Sequence, residues 1–92
     1  MNSTLWKIEL SPKADKELLS LDKISRERIR KYLNELKIIH NPRLRGEPLT
    51  GNLSEFWKYR VGDYRLICKI QDDKLLVLVI KIGHRKEIYK RI

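Results

Sequence analysis

Ninety-two residues suffice for one small domain, 1–92, whose core must be packed efficiently. The 41% apolar content is adequate for such a core, 36% charged residues argue for a soluble protein, and the single cysteine excludes an internal disulfide or a multi-cysteine metal site. A formal charge of +9 points to nucleic acid or an acidic protein as partner, and the surplus is uneven: residues 57–92 hold ten Lys and Arg against four Asp and Glu, residues 1–56 eleven against eight.

Residues 4–10 alternate Trp6, Ile8 and Leu10 with Leu5, Lys7 and Glu9, the pattern of an opening strand. The same alternation leaves no apolar core for a signal peptide, and the longest apolar run, 75–80, is too short for a bilayer. A cytoplasmic protein with no membrane partner is therefore expected. Ser11-Pro12 supplies an N-cap and a first-turn proline for a short helix to about Leu21, with Ala14, Leu18 and Leu21 on its buried side. Asp22 or Ser25 can cap a second helix in which Ile29, Leu33 and Leu36 recur at helical spacing. It ends near His40-Asn41-Pro42, since proline cannot continue it. The charged face of this hairpin, including Lys23, Arg26, Arg30 and Lys37, reads as solvated.

Gly46, Pro48 and Gly51 mark 42–55 as a loop. Three strands are expected next, over 56–61, 64–70 and 74–82, with Asp72-Asp73 turning between the last two. The run 75–80 lacks polar interruption, so the last strand is read as central and covered on both faces. Residues 85–92 form a short basic tail. The predicted fold is α+β, β-α-α-β-β-β, with the helical hairpin and a short C-terminal tail helix on a mainly antiparallel four-stranded sheet.

The stretch Trp57-Lys58-Tyr59-Arg60-Val61-Gly62-Asp63-Tyr64-Arg65 carries the most information. Two alternating runs flank a Gly-Asp pair, which reads as a two-residue β-hairpin. Counting outward, Val61 faces Tyr64, Arg60 faces Arg65, Tyr59 faces Leu66 and Lys58 faces Ile67. Side chains alternate across a strand, so Lys58, Arg60 and Arg65 share one face and Trp57, Tyr59, Tyr64 and Leu66 the other. Cys68 falls on the apolar side, buried and inert. Like charges directly opposite each other destabilise a sheet. Three neighbouring cations therefore ask for an anion, and a phosphodiester is the natural candidate.

The element order resembles that of the RelE/ParE superfamily of bacterial toxins, and so do four local motifs. These are Leu44-Arg45-Gly46, Trp57-Lys58-Tyr59-Arg60, Val61-Gly62-Asp63-Tyr64-Arg65-Leu66 and Gly83-His84-Arg85-Lys86-Glu87-Ile88-Tyr89. For the RelE branch the resemblance implies a ribosome-dependent, metal-independent endoribonuclease that cuts messenger RNA in the A site, without cofactors. It implies catalytic positions at Lys58, Arg60, Arg65, Arg85 and Tyr89, all of them filled. One departure is that the best-characterised members have a second lysine where this chain has Arg60. An arginine cannot give up its proton near neutrality, so a base role at that position does not transfer.

Such cleavage uses the 2′-OH as nucleophile on the adjacent phosphate. Arg65, assisted by Arg60, is expected to clamp the nonbridging oxygens. Lys58 is the cluster member able to change protonation and is expected to act as base or relay, its pKa pushed down by the two arginines. Arg85 matches the position given the leaving-group role, His84 beside it has a suitable intrinsic pKa or is a polar strand-end residue, and Tyr89 can stack on an exposed base. Arg45, His84, Lys86, Lys90 and Arg91 are expected to bind ribosomal RNA. The resemblance also implies a cognate RelB-like antitoxin covering the basic face, where Ile67, Leu76, Leu78 and Ile80 would leave an apolar patch for the tail or that partner. Toxin and antitoxin would bind operator DNA together. Two alternatives stay open: a ParE-like gyrase inhibitor without nuclease activity, and a non-toxic basic nucleic-acid-binding module.

Overall fold

The computed structural model describes residues 6–89, so Leu5, Lys90 and Arg91 lie outside it. Strand β1 (Lys7–Leu10) leads to helix α1 (Pro12–Leu19), whose N-cap Ser11 accepts a hydrogen bond from the Ala14 N–H. Helix α2 (Lys23–Ile38) is capped by Asp22, which accepts from the Ser25 N–H. That bond holds the Asp22 carboxyl below its ordinary pKa. α2 ends before Asn41 and Pro42, where proline removes the next donor.

Strands β3 (Trp57–Val61), β4 (Tyr64–Gln71) and β5 (Leu76–His84) follow, with a two-residue strand β2 (Glu47–Pro48) inside the predicted loop. The sheet order is β1-β5-β4-β3-β2, with only β1 and β5 parallel, so β2 makes a fifth member of the expected four-stranded sheet. Beyond β5, residues 85–89 are turn, their first bonds running from the Glu87 and Ile88 N–H groups to the His84 carbonyl at 2.8 and 2.9 Å.

The main core lies between the helices and one sheet face: Ala14, Leu18, Ile29, Leu33 and Leu36 meet Tyr59, Leu66, Cys68, Val77 and Val79. Burial pushes the Cys68 thiol pKa well up, as expected of an inert cysteine. Tyr59 is fully buried and its hydroxyl donates to the Pro42 carbonyl at 2.8 Å, so the core also pins the segment that leads into β2. A second, smaller core of Leu49, Ile67 and Ile88, flanked by Leu53, Phe56 and Ile80, covers part of the opposite face. Of the apolar patch anticipated there, Ile67 and Ile80 are covered by the 49–56 segment and Ile88, while Leu76 and Leu78 are not part of this core.

The β4–β5 ladder carries a bulge that the apolar run 75–80 gave no hint of. Ile67 pairs with Lys81 and Cys68 with Val79, leaving Ile80 as the extra residue. Helix α1 ties down the irregular backbone. Ser11 donates from its N–H to Val79 O and from its hydroxyl to Ile80 O, and the Glu17 carboxylate accepts from the Ile82 N–H at 2.8 Å. Unpaired buried backbone groups cost about 1–3 kcal/mol each, so these bonds fix where the bulge sits.

Candidate active site

The β3–β4 hairpin turns at Gly62 (φ +59°), and its pairs are those the sequence specifies: Val61 with Tyr64, Arg60 with Arg65, Tyr59 with Leu66 and Lys58 with Ile67. Lys58, Arg60 and Arg65 therefore project from one face. Together with Tyr32, Gly46 and Glu47 they line a cleft of about 300 Å³.

Glu47 is the residue the sequence reading missed. It sits opposite Lys58 in the β2–β3 register, and its carboxylate lies 3.2 Å from the Lys58 ammonium. The position depends on Gly46, which has φ +75° and presses against β3 where no side chain fits. The Gly46-Glu47-Pro48 sequence was the available signal: a glycine and a proline bracketing a lone carboxylate just before the basic strand.

Tyr89 reaches the same place from the tail. Ile88 is fully buried against Gly83 and the second core, and this anchor puts the Tyr89 ring 5.4 Å from Lys58 Nζ. The hydroxyl of Tyr89 first, and the Glu47 carboxylate second, hold the Lys58 pKa above the ordinary lysine value of 10.5. This reverses the expected downward shift. The two arginines do not control Lys58: Arg60 is exposed, and the Arg65 guanidinium donates through Nη1 to the Gly62 and Tyr64 carbonyls at 3.1 and 2.9 Å. A neutral-pH base role for Lys58 loses its footing, and a charge-bearing role gains it.

The linkage is testable. A raised folded-state pKa means that the stabilisation from charged Lys58 is complete below the unfolded value and is lost as pH rises through the folded one. NMR titration of the Lys58 side chain should give a midpoint above 10.5, moving down in Tyr89→Phe. A wild-type midpoint at or below 10.5 would contradict the assignment.

The remaining sequence candidates separate from this group. Arg85 stands at the turn end of the hairpin, its backbone N–H on the Asp63 carbonyl at 2.8 Å and its Nε 3.9 Å from the Asp63 carboxylate. It lines neither that cleft nor the one beside Tyr89. His84 pairs with Tyr64, on the face away from the cations; its ring meets Tyr64 edge-on, and its Nδ1 accepts from the Lys86 N–H at 3.2 Å. Arg45 is engaged with Glu35 at 3.0 Å and lies over the Tyr32 ring, an arrangement that joins the segment before β2 to α2. Lys86 is exposed. Among the described residues no group of three or more His, Cys, Asp or Glu is placed to hold a metal ion, and no helix is long and apolar enough to cross a membrane.

The family model of the ParE toxin of type II toxin-antitoxin systems, parDE, matches residues 8–89. The chain is also 32% identical over 85 residues to the mRNA interferase toxin RelE of Escherichia coli, spanning 89% of this chain and 87% of that protein. It belongs to the RelE/ParE superfamily of toxins, and is RelE-like. A shorter stretch of 46 residues is 37% identical to toxin RelG of Mycobacterium tuberculosis, half of this chain and 53% of that protein. Among solved structures, isolated E. coli RelE superposes on this RelE-like toxin with a TM-score of 0.70 and 28% identity, over 86% of this chain and 83% of that one. The toxin-antitoxin complex RelBE2 of M. tuberculosis contains a chain of the same fold, with a TM-score of 0.80 and 23% identity over 89% of this chain and 100% of that one.

Proposed function

We propose that this type II toxin is an endoribonuclease that cuts messenger RNA in the ribosomal A site. The observation that carries the reading is the cleft in which a carboxylate touches an ammonium group beside two arginines. Arg60 and Arg65 bind the nonbridging oxygens of the scissile phosphate and stabilise the charge that builds on the phosphorane. Glu47, the one carboxylate among the described residues lining that cleft, takes the proton of the 2′-OH. The 2′-oxygen–phosphorus bond forms, the bond from phosphorus to the 5′-oxygen breaks, and Lys58 gives a proton to the leaving oxygen. The products are a 2′,3′-cyclic phosphate and a 5′-hydroxyl. Proton return from Glu47 to Lys58 across their ion pair resets the site. Tyr89 stacks on a base and holds the nucleotide in line. This chemistry uses no metal and no cofactor.

Arg85, Arg45, His84 and Lys86, with Lys90 and Arg91 beyond the described residues, serve ribosomal RNA rather than the scissile linkage in this reading. Their contribution should fall steeply with salt. The partners proposed are a ribosome carrying a message, a RelB-like antitoxin in the cytoplasm, and operator DNA bound by the two proteins together. Several structural relatives are toxin-antitoxin complexes, which supports the antitoxin assignment.

The ParE name of the matching family favours one other reading, gyrase inhibition without nuclease activity. Primer extension on messages from cells making the chain separates the two. Cuts between codon positions within translated regions support the nuclease. Intact messages with loss of DNA supercoiling would reject it in favour of the gyrase reading.

A further inference from the structure

A second cleft adjoins the one assigned to the phosphate and shares Glu47 and Lys58 with it. Its volume of about 380 Å³ lies within the range of small-ligand sites, roughly 300–1,000 Å³. One wall is Tyr89, 47% exposed although the neighbouring Ile88 is fully buried, so the ring is held in place and open. The other wall is built by Pro48, Leu49, Thr50 and Leu53. Leu49 and Leu53 are fixed by the second core. Thr50 is exposed, and its hydroxyl caps no backbone group of the one-turn helix it precedes, which leaves a donor and an acceptor for a ligand.

The chemistry of this cleft differs from that of its neighbour. Among the described residues its only charged lining is the Glu47–Lys58 pair, and the rest is an aromatic ring, aliphatic carbon and one hydroxyl. Such a lining suits the flat face and polar edge of a nucleobase better than a phosphate. A nucleotide whose phosphate lies beside Lys58, Arg60 and Arg65 has its own base, or the next one, within reach of this opening.

We propose that residues 48–53 form the second wall of a nucleobase slot opposite Tyr89. Thr50 reads the base edge and Leu53 sets the width, so this segment determines which base flanks the cut. The inference rests on the nuclease reading above and adds the specificity element to it.

The test is to sequence the cut sites left in the same translated messages by the wild type and by Thr50→Val, an exposed change that keeps shape and removes the hydroxyl. The share of cuts beside the base preferred by the wild type should fall at least threefold relative to the other bases. An unchanged distribution, or a wild-type pattern indifferent to the flanking base, overturns the slot. A second measurement needs no variant: an uncleavable 2′-O-methyl trinucleotide added to the wild-type protein should shift the Thr50 and Leu53 methyl resonances. Shifts confined to the neighbourhood of Arg60 and Arg65 overturn the slot while leaving the nuclease standing. A wild type that cuts no message overturns both.

Discussion

Lys58→Met is expected to lower single-turnover message cleavage by at least about 100-fold, and Glu47→Gln by about 100- to 10,000-fold. The first removes a fixed positive charge and proton donor, the second the proton acceptor. The two groups touch and exchange one proton in the proposed cycle, so their losses should not add. The double variant is expected to be little slower than the worse single one, as for other catalytic groups that act as a unit. Additive losses would mean that the two side chains work independently. Neither change should unfold the protein: the Glu47 side chain is 67% exposed and that of Lys58 23%, and ion pairs at a protein surface contribute about 0–1 kcal/mol. A large drop in melting temperature for either variant would point to a structural role instead.

The largest effect on stability is expected at Gly46. Its φ of +75° costs other residues about 1–2 kcal/mol, and a Cβ there would collide with the Lys58 carbonyl oxygen, Trp57 Nε1 at 2.7 Å and Tyr59 Cδ1 at 2.9 Å. Two of these are main chain and buried ring, and neither yields cheaply. Trp57 Nε1 also donates to the Arg45 carbonyl at 2.8 Å, a bond the collision would break. Gly46→Ala should therefore cost about 3 kcal/mol or more, which lowers the melting temperature of a domain this size by about 10–20 °C. Gly51→Ala is the internal control, because Gly51 has φ +65° with nothing within 4 Å of its Cβ position. It should show the backbone cost alone, measured by thermal melts of both variants side by side. Equal losses would show that the close approach to β3 is not what Gly46 provides.

Those elements were legible in the sequence whose determinants are local. The Gly62-Asp63 turn sets the hairpin register by counting, so the shared face of Lys58, Arg60 and Arg65 could be read before any fold was known. Ser11-Pro12 and Asp22 set the helix starts through side chains three residues from the groups they cap. What escaped depends on partners distant in sequence. Glu47 looked like a loop carboxylate because a two-residue strand has no periodicity; only Gly46 packing on β3 brings it to Lys58. The upward pull on Lys58 comes from Tyr89 and Glu47, 31 and 11 positions away, while the local arginines suggested the opposite sign. The β5 bulge was hidden because an unbroken apolar run reads the same with or without an extra residue, and Ser11 and Glu17 decide its place.

Cleavage of RNA through the neighbouring 2′-hydroxyl is the step proposed for the cationic cleft. Its most direct test is a ribosome stalled with a defined message in the A site, prepared with either a ribose or a single 2′-deoxyribose at the mapped cut position. Cleavage of the first, leaving a 2′,3′-cyclic phosphate and a 5′-hydroxyl, is expected, and none of the second. Cleavage at the deoxy position, or none with ribose, would contradict it.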